Sequence, residues 1–151
     1  MPTKAEPRAL DDLELRAWRG LLRTHALLVK RLDAELEAGH GLALTSYEVL
    51  LHLGHADGDR MRMCDIADSV LLSRSGLTRL VDRLERDGLV ERTSCPNDAR
   101  GAFARLTPAG RKKLEDARRT HLEGVRQHFL DLFGEDELEA LAGAWERVAQ
   151  T

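Results

Sequence analysis

The chain is poor in rings: aromatic residues are 4% of its 151 positions. A core made from so few must be mostly Leu, Val and Ala. Cysteine is also scarce. Cys64 and Cys95 are the two present, too few for a disulfide framework and without zinc-finger spacing. No apolar run nears the roughly 18 residues that a membrane crossing needs. The start, MPTKAEPRALDDLE, lacks an apolar signal core. These readings lead us to expect a cytoplasmic protein with no membrane partner. Net positive charge is missing as well, at −3 overall. Most of the surface therefore repels polyanions, and any nucleic-acid contact must be a local basic patch. There is no glycine-rich phosphate loop, nucleophile elbow or paired-metal motif, so neither an enzyme nor a bound cofactor is expected. Internal repeats and low-complexity stretches are absent.

What is present fits a helix-rich globular chain, 42% apolar and 32% charged, of one domain or one domain plus an oligomerisation element. Residues 1–9, with two prolines and mixed charge, read as a loose arm. The spacing predicts a first helix from about Leu10 to Ala38. Leu13, Ala17, Leu21, Leu28, Leu32 and Leu36 form one stripe, and Trp18, Leu22, His25 and Val29 an adjacent one. Two apolar faces need two things to pack on, and we expect its own domain for one and a second subunit for the other. Gly39-His40-Gly41 stops the helix. Thr45-Ser46-Tyr47-Glu48 reads as a capping box opening helix two, with Leu44 and Val49 as its staple. Asp57-Gly58 ends it, and Arg60 to Met63 alternates like a short strand.

Helix three is expected over about Asp65 to Val70, and Ser73 is a good N-cap for helix four. In that helix Leu77, Leu80, Val81 and Leu84 make the buried stripe. Gly88 closes it. Val90–Ser94 and Ala102–Leu106 read as strands around a turn-rich loop, Cys95 to Gly101. Thr107-Pro108 is an N-cap with proline at the first helical position. Helix five follows to about Phe133, with Leu114, Ala117, His121, Val125, Phe129 and Leu132 on one face. Gly134 breaks it. Helix six, about Glu135 to Ala149, carries Leu138, Leu141, Trp145 and Val148 as its stripe.

The order α-α-β-α-α-β-β-α-α gives a mainly α fold with a small β-wing: a winged helix-turn-helix plus N- and C-terminal dimerisation helices. Residues 10–151 form one unit, with 10–44 and 108–151 as dimerisation helices and 45–107 as the DNA-binding part. The terminal helices carry more apolar surface than the small middle needs, so a homodimer is expected. Helix four opens with a cationic nose, Arg74 and Arg79, and no acid between Ser73 and Val81. Arginine reads guanine edges through two hydrogen bonds. Ser73, Ser75 and Thr78 suit phosphate or base contacts, Gly76 allows close approach, and Arg83 lies on the same outer side. A solvated amphipathic helix with ordinary surface arginines is the bland alternative, and the attached wing argues against it.

The stretch LLSRSGLTRLVDRLERDGLVERTSCPNDARGAFARLTPAGRKKL resembles the MarR family of bacterial transcription regulators. It holds a recognition-helix run and a DGLVER turn into the wing. The wing's Asp98-Ala99-Arg100-Gly101 and an LTPAG entry to a dimer helix follow. The match is close from about Thr45 to Leu114, and the flanking helices match in length and order only. The resemblance implies a dimer on a near-palindromic DNA operator, expected to act as a repressor and to be released by a small phenolic or anionic effector, a metal or an oxidant. It also makes Arg100 the minor-groove residue, where A·T-rich DNA concentrates negative potential. Asp98 would hold Arg100 or the wing turn.

In that family effectors often sit between the dimer helices and the winged part, which points to Trp18, His25, Tyr47 and Leu51. Each is also an ordinary core or interface residue type. Cys64, at the expected N-cap of helix three, and Cys95, at the wing base, are the redox candidates; a thiol at a helix N-terminus is made more acidic. Six histidines raise a zinc reading through His25, His52, His55, His121 and His128, but no acid or cysteine at ligand spacing completes a site, so no metal is assigned. A zinc- or thiol-responsive regulator and a protein-association module are the alternatives.

Overall fold

The computed structural model describes residues 7–70, 72–95 and 98–151, with the backbone alone at 95 and 98–101. The elements run α1 (Asp12–His40), α2 (Leu44–His55), β1 (Arg60–Arg62), α3 (Met63–Ser69), α4 (Arg74–Arg86), β2 (Val90–Cys95), β3 (Asp98–Leu106), α5 (Pro108–His128) and α6 (Glu135–Ala149), with 3-10 turns at Asp57–Asp59 and Leu130–Leu132. This is the expected mainly helical order with a small wing. The strands form an antiparallel sheet in the order β1-β3-β2.

Local chemistry sets most boundaries. Asp11 and Glu14 form a capping box at the start of α1: each side chain accepts the other's backbone N–H, at 2.8 and 2.9 Å. Gly41 ends α1 in the left-handed conformation, φ 59°. Ser73 caps α4 by accepting the Gly76 N–H at 3.1 Å. Thr107 does the same for α5 with the Gly110 N–H at 3.0 Å, ahead of Pro108.

Four boundaries differ from expectation. Helix α2 begins at Leu44 with Ala43 as N-cap, so the capping box at Thr45 does not form. Its first turn is capped from another helix instead: Asp33 of α1 accepts the Leu44 N–H at 2.8 Å. Helix α3 starts directly after β1, with Arg62 as its N-cap, so Cys64 lies inside the helix rather than at its cap. Helix α5 stops at His128, where the Phe129 backbone turns out of the helix and Phe129 meets Phe133 edge to face, 5.1 Å between centroids. The wing strands also run further than expected: β3 starts at Asp98, and Cys95 pairs with Asp98 beyond an irregularity at Ser94/Cys95.

One core binds the middle of the chain. Val49, Leu50 and Leu53 of α2, Ile66 of α3, Leu77, Val81 and Leu84 of α4 and Ala104 of β3 are buried, and Leu36 of α1 with Leu114 and Ala117 of α5 closes it from above. The approach of α5 is tight: a Cβ on Gly110 would lie 2.0 Å from the Leu89 carbonyl oxygen. Away from this core, burial fades. Along α1 it falls from Leu36 back to Leu13, which is 67% exposed. Trp18, Leu22, Leu132, Trp145 and Val148 are exposed as well.

Candidate nucleic-acid interface

Helix α4 is strongly two-sided. Leu77, Leu80, Val81 and Leu84 are buried, while Arg74, Ser75, Thr78, Arg79 and Arg83 are exposed. Its first turns present cations with no acid among them. The Ser73 hydroxyl is engaged as the N-cap and lies 3.3 Å from the Ser75 hydroxyl. Thr78 donates its hydroxyl to the Arg74 carbonyl at 2.9 Å, which leaves its oxygen free to accept. Gly76 is half-buried, and its missing side chain leaves room for the Ser73 cap, since a Cβ there would meet Ser73 Oγ at 3.1 Å.

The acids of α4 are turned toward the wing through Arg92, a residue that sequence reasoning missed. Its guanidinium donates to Asp82 Oδ1 at 2.5 Å and to the Thr78 carbonyl at 3.2 Å, and its backbone N–H donates to Glu85 Oε2 at 2.9 Å. Thr78, Asp82 and Glu85 share one face of α4 at helical spacing. Arg92 therefore fixes the second strand to α4 and engages two of that helix's carboxylates. A signal was available: strand alternation places Arg92 on the same side as buried Val90, an inward position where arginine needs a partner. The backbones of Asp98 and Arg100 lie in β3 near the wing tip. Their side chains, and that of Cys95, lie outside the described residues.

Comparison with known proteins agrees. Residues 40–101 match the profile of the MarR family. The HTH-type transcriptional regulator MhqR of Bacillus subtilis (strain 168) is 31% identical over 109 residues, covering 72% of this chain and 73% of that protein. The chain belongs to the MarR family. Among solved MarR-family regulators of Streptomyces coelicolor, AbsC superposes with a TM-score of 0.89 at 38% identity, covering 95% of this chain and 97% of AbsC. Sco3205, solved in complex with DNA, gives 0.91 at 33% identity, covering 97% of this chain and 92% of Sco3205. This MarR-family chain is thus a DNA-binding transcriptional regulator.

The effector candidates of this MarR-family chain are not gathered in one place. Trp18 lines an apolar groove of about 560 Å³ with Leu21, Phe129, Phe133, Leu141 and Trp145. His25 is exposed on α1, and Leu51 is half-buried against the core. Tyr47 is buried and lies against His121 of α5, 4.6 Å between ring centroids. Burial raises the Tyr47 phenol, opposed by nearby Arg118, and lowers the His121 imidazole, whose Nδ1 is buried with no hydrogen-bond partner. Glu48, free of the cap once expected of it, is half-buried; burial raises its carboxyl and nearby His52 lowers it.

Cys64 is exposed, with Sγ 3.7 Å from Asp65 Oδ1. The histidines are spread out. His128 pairs with Glu35 at 2.5 Å, and His40 lies 2.8 Å from the Thr120 hydroxyl. Among the described residues no three His, Cys, Asp or Glu side chains are grouped as metal ligands, and no helix is long and apolar enough to cross a membrane.

Proposed function

We propose that this regulator is a cytoplasmic homodimeric repressor that reads a pseudo-palindromic operator and leaves it when a small phenolic or anionic molecule binds. In this reading residues 45–107 form the DNA-reading head, and residues 10–44 and 108–151 join two copies. Ser73, Arg74, Ser75, Gly76, Thr78, Arg79 and Arg83 meet the major groove and its phosphates. Arg100, steadied by Asp98, meets the minor groove. The observation that carries it is the exposed Arg74/Arg79 nose on a helix whose acids are held by Arg92. Apolar surface left open on α1 and α6 supports pairing of two copies. Two heads about 34 Å apart would meet successive major grooves on one face of the duplex.

Release requires an effector that binds the free and DNA-bound shapes unequally. In the proposed mechanism α1, α5 and α6 change the spacing or tilt of the heads. The test is footprinting on DNA from the region upstream of the protein's own gene, repeated with phenolic compounds, zinc and peroxide. Protection of two half-sites about one helical turn apart, lost with a phenol, is the expected result. A single unpaired footprint, or no footprint, would reject the reading.

A further inference from the structure

We propose that the outer face of the wing sheet, with Arg60, Arg62 and Arg105 around Phe103, is a second DNA-binding surface that takes backbone phosphates beside the wing. The proposal rests on the DNA-binding reading above and extends it to residues outside α4 and the wing tip.

Register places these side chains together. Arg60 pairs with Arg105 and Arg62 with Phe103 across β1 and β3, while Glu91 and Thr93 face Arg105 and Phe103 from β2. Strand alternation puts all six on one side. Met61, Arg92, Ala104 and Leu106 lie on the other side, where Ala104 and Leu106 are buried. Arg60, Arg62 and Arg105 are exposed, and Phe103 is half-buried beneath two of them. The Arg60 and Arg62 guanidinium carbons lie 5.3 and 5.7 Å from its ring centroid, within cation–π range.

The arrangement works against the fold's own stability. Like charges directly opposite one another across a strand pair are destabilising, and Arg60 stands opposite Arg105. Glu91 stands opposite Arg105, and Asp57 lines a recess of about 360 Å³ with Gly58, Arg60 and Arg105. Yet among the described residues no ion pair involves Arg60 or Arg105. Asp59, which precedes Arg60, is taken by Arg111 of α5. A chain of net charge −3 has thus kept Arg60 and Arg105 opposite one another and outside any ion pair among the described residues. Guanidinium forks match phosphate oxygens. The middle of the same sheet is bonded through Arg92 to Thr78, in the groove-facing half of α4. The cations stand on the opposite face of that sheet, turned outward from α4, where phosphate contacts would add affinity and fix register without reading sequence.

The test needs no known operator, because phosphate contacts act on any duplex. Binding of the full-length protein to a random-sequence DNA duplex is titrated with salt for the wild type, Arg105→Gln, Arg60→Gln, Arg105→Lys and, as reference, Arg74→Ala. We expect each glutamine variant to lower the slope of log K against log salt by about one unit for each head bound. Arg105→Lys restores the slope, and Arg105→Gln leaves the melting temperature unchanged or higher. Unchanged slopes in both glutamine variants, with a lower slope in Arg74→Ala, would overturn the proposal and leave the DNA-binding reading standing. That pattern would fit a face reserved for an acidic protein partner. A slope that falls only together with the melting temperature, and that Arg105→Lys fails to restore, would overturn it too. Wild-type protein with no salt-dependent DNA binding would remove both readings.

Discussion

The middle of the chain and the far ends of the terminal helices are built to opposite rules. Around α2, α3 and α4 the apolar side chains are enclosed: Leu50, Leu53 and Val81 have no exposed surface. At the start of α1 and along α6 they are not, and Trp18 and Trp145 are 53% and 44% exposed. Both regions have a regular apolar stripe, so the stripe alone does not distinguish a finished core from one awaiting a partner. The difference is whether another element lies over it. Single exposed apolar residues are ordinary, but a contiguous apolar groove marks an interaction site.

That contrast can be broken or sharpened by substitution. The largest effect is expected in the finished core. Leu50→Ala should lose about 2–5 kcal/mol in urea unfolding, from lost burial and an unfilled cavity, while Leu13→Ala, at an exposed site, should change the single protomer's stability by less than about 0.5 kcal/mol. Similar losses at both sites would erase the distinction. Next comes the open groove. Trp18→Asp combined with Trp145→Asp should give a folded monomer by sedimentation and circular dichroism. Operator affinity should fall by about a hundredfold or more, because two linked heads gain that much from binding together. A dimer that survives both changes would contradict the pairing of copies through these helices.

A smaller effect sharpens the view of the head as one rigid piece. Arg92→Ala removes charge-assisted bonds at a partly exposed site, so the stability loss should be about 1 kcal/mol. Faster amide exchange across Val90–Ser94 should accompany it, and unaltered exchange would mean that the wing is held without Arg92. Arg100→Ala should weaken operator binding and lower its salt slope by about one unit per head. An unchanged slope would reject the minor-groove role.

The smallest effect concerns pH, at the seam between α2 and α5. Burial keeps the His121 imidazole below its ordinary value of 6.5, so the unfolded chain takes up the proton first and stability falls as pH drops through that value. Glu48 acts in the opposite direction at lower pH. Its folded carboxyl is raised above the ordinary 4.5, so protonation there relieves a cost. Replacing His121 by Phe should flatten the loss of melting temperature between about pH 7 and 5.5. An identical pH profile in the variant would show that the buried imidazole does not contribute.

Legibility in the sequence followed the range of the interaction. Ser73, Thr107-Pro108 and Gly41 act within a few residues of themselves, and the helix ends they set lie within about two residues of where the sequence puts them. The start of α2 was misread because its cap arrives from Asp33, 11 positions upstream on another helix, where no local pattern announces it. The end of α5 was misread for a related reason: Gly134 is a visible breaker, but the chain turns earlier, where Phe129 meets Phe133. Within the candidate site, the cationic nose of α4 was plain because arginines without neighbouring acids are a local pattern. The Arg92 clamp and the arginines facing each other on the sheet were not, because both depend on strand register.

The Asp33 contact bears on how this protein can be taken apart. A fragment trimmed to residues 45–107 would lose both Asp33 and Leu44, whose contact opens α2, and with them Leu36, Leu114 and Ala117, which close the core from above. Such a fragment would begin with frayed amides and an open roof. Screening for operator variants or inhibitors therefore calls for the whole chain, since the proposed DNA-reading portion borrows part of its scaffolding from the helices on either side.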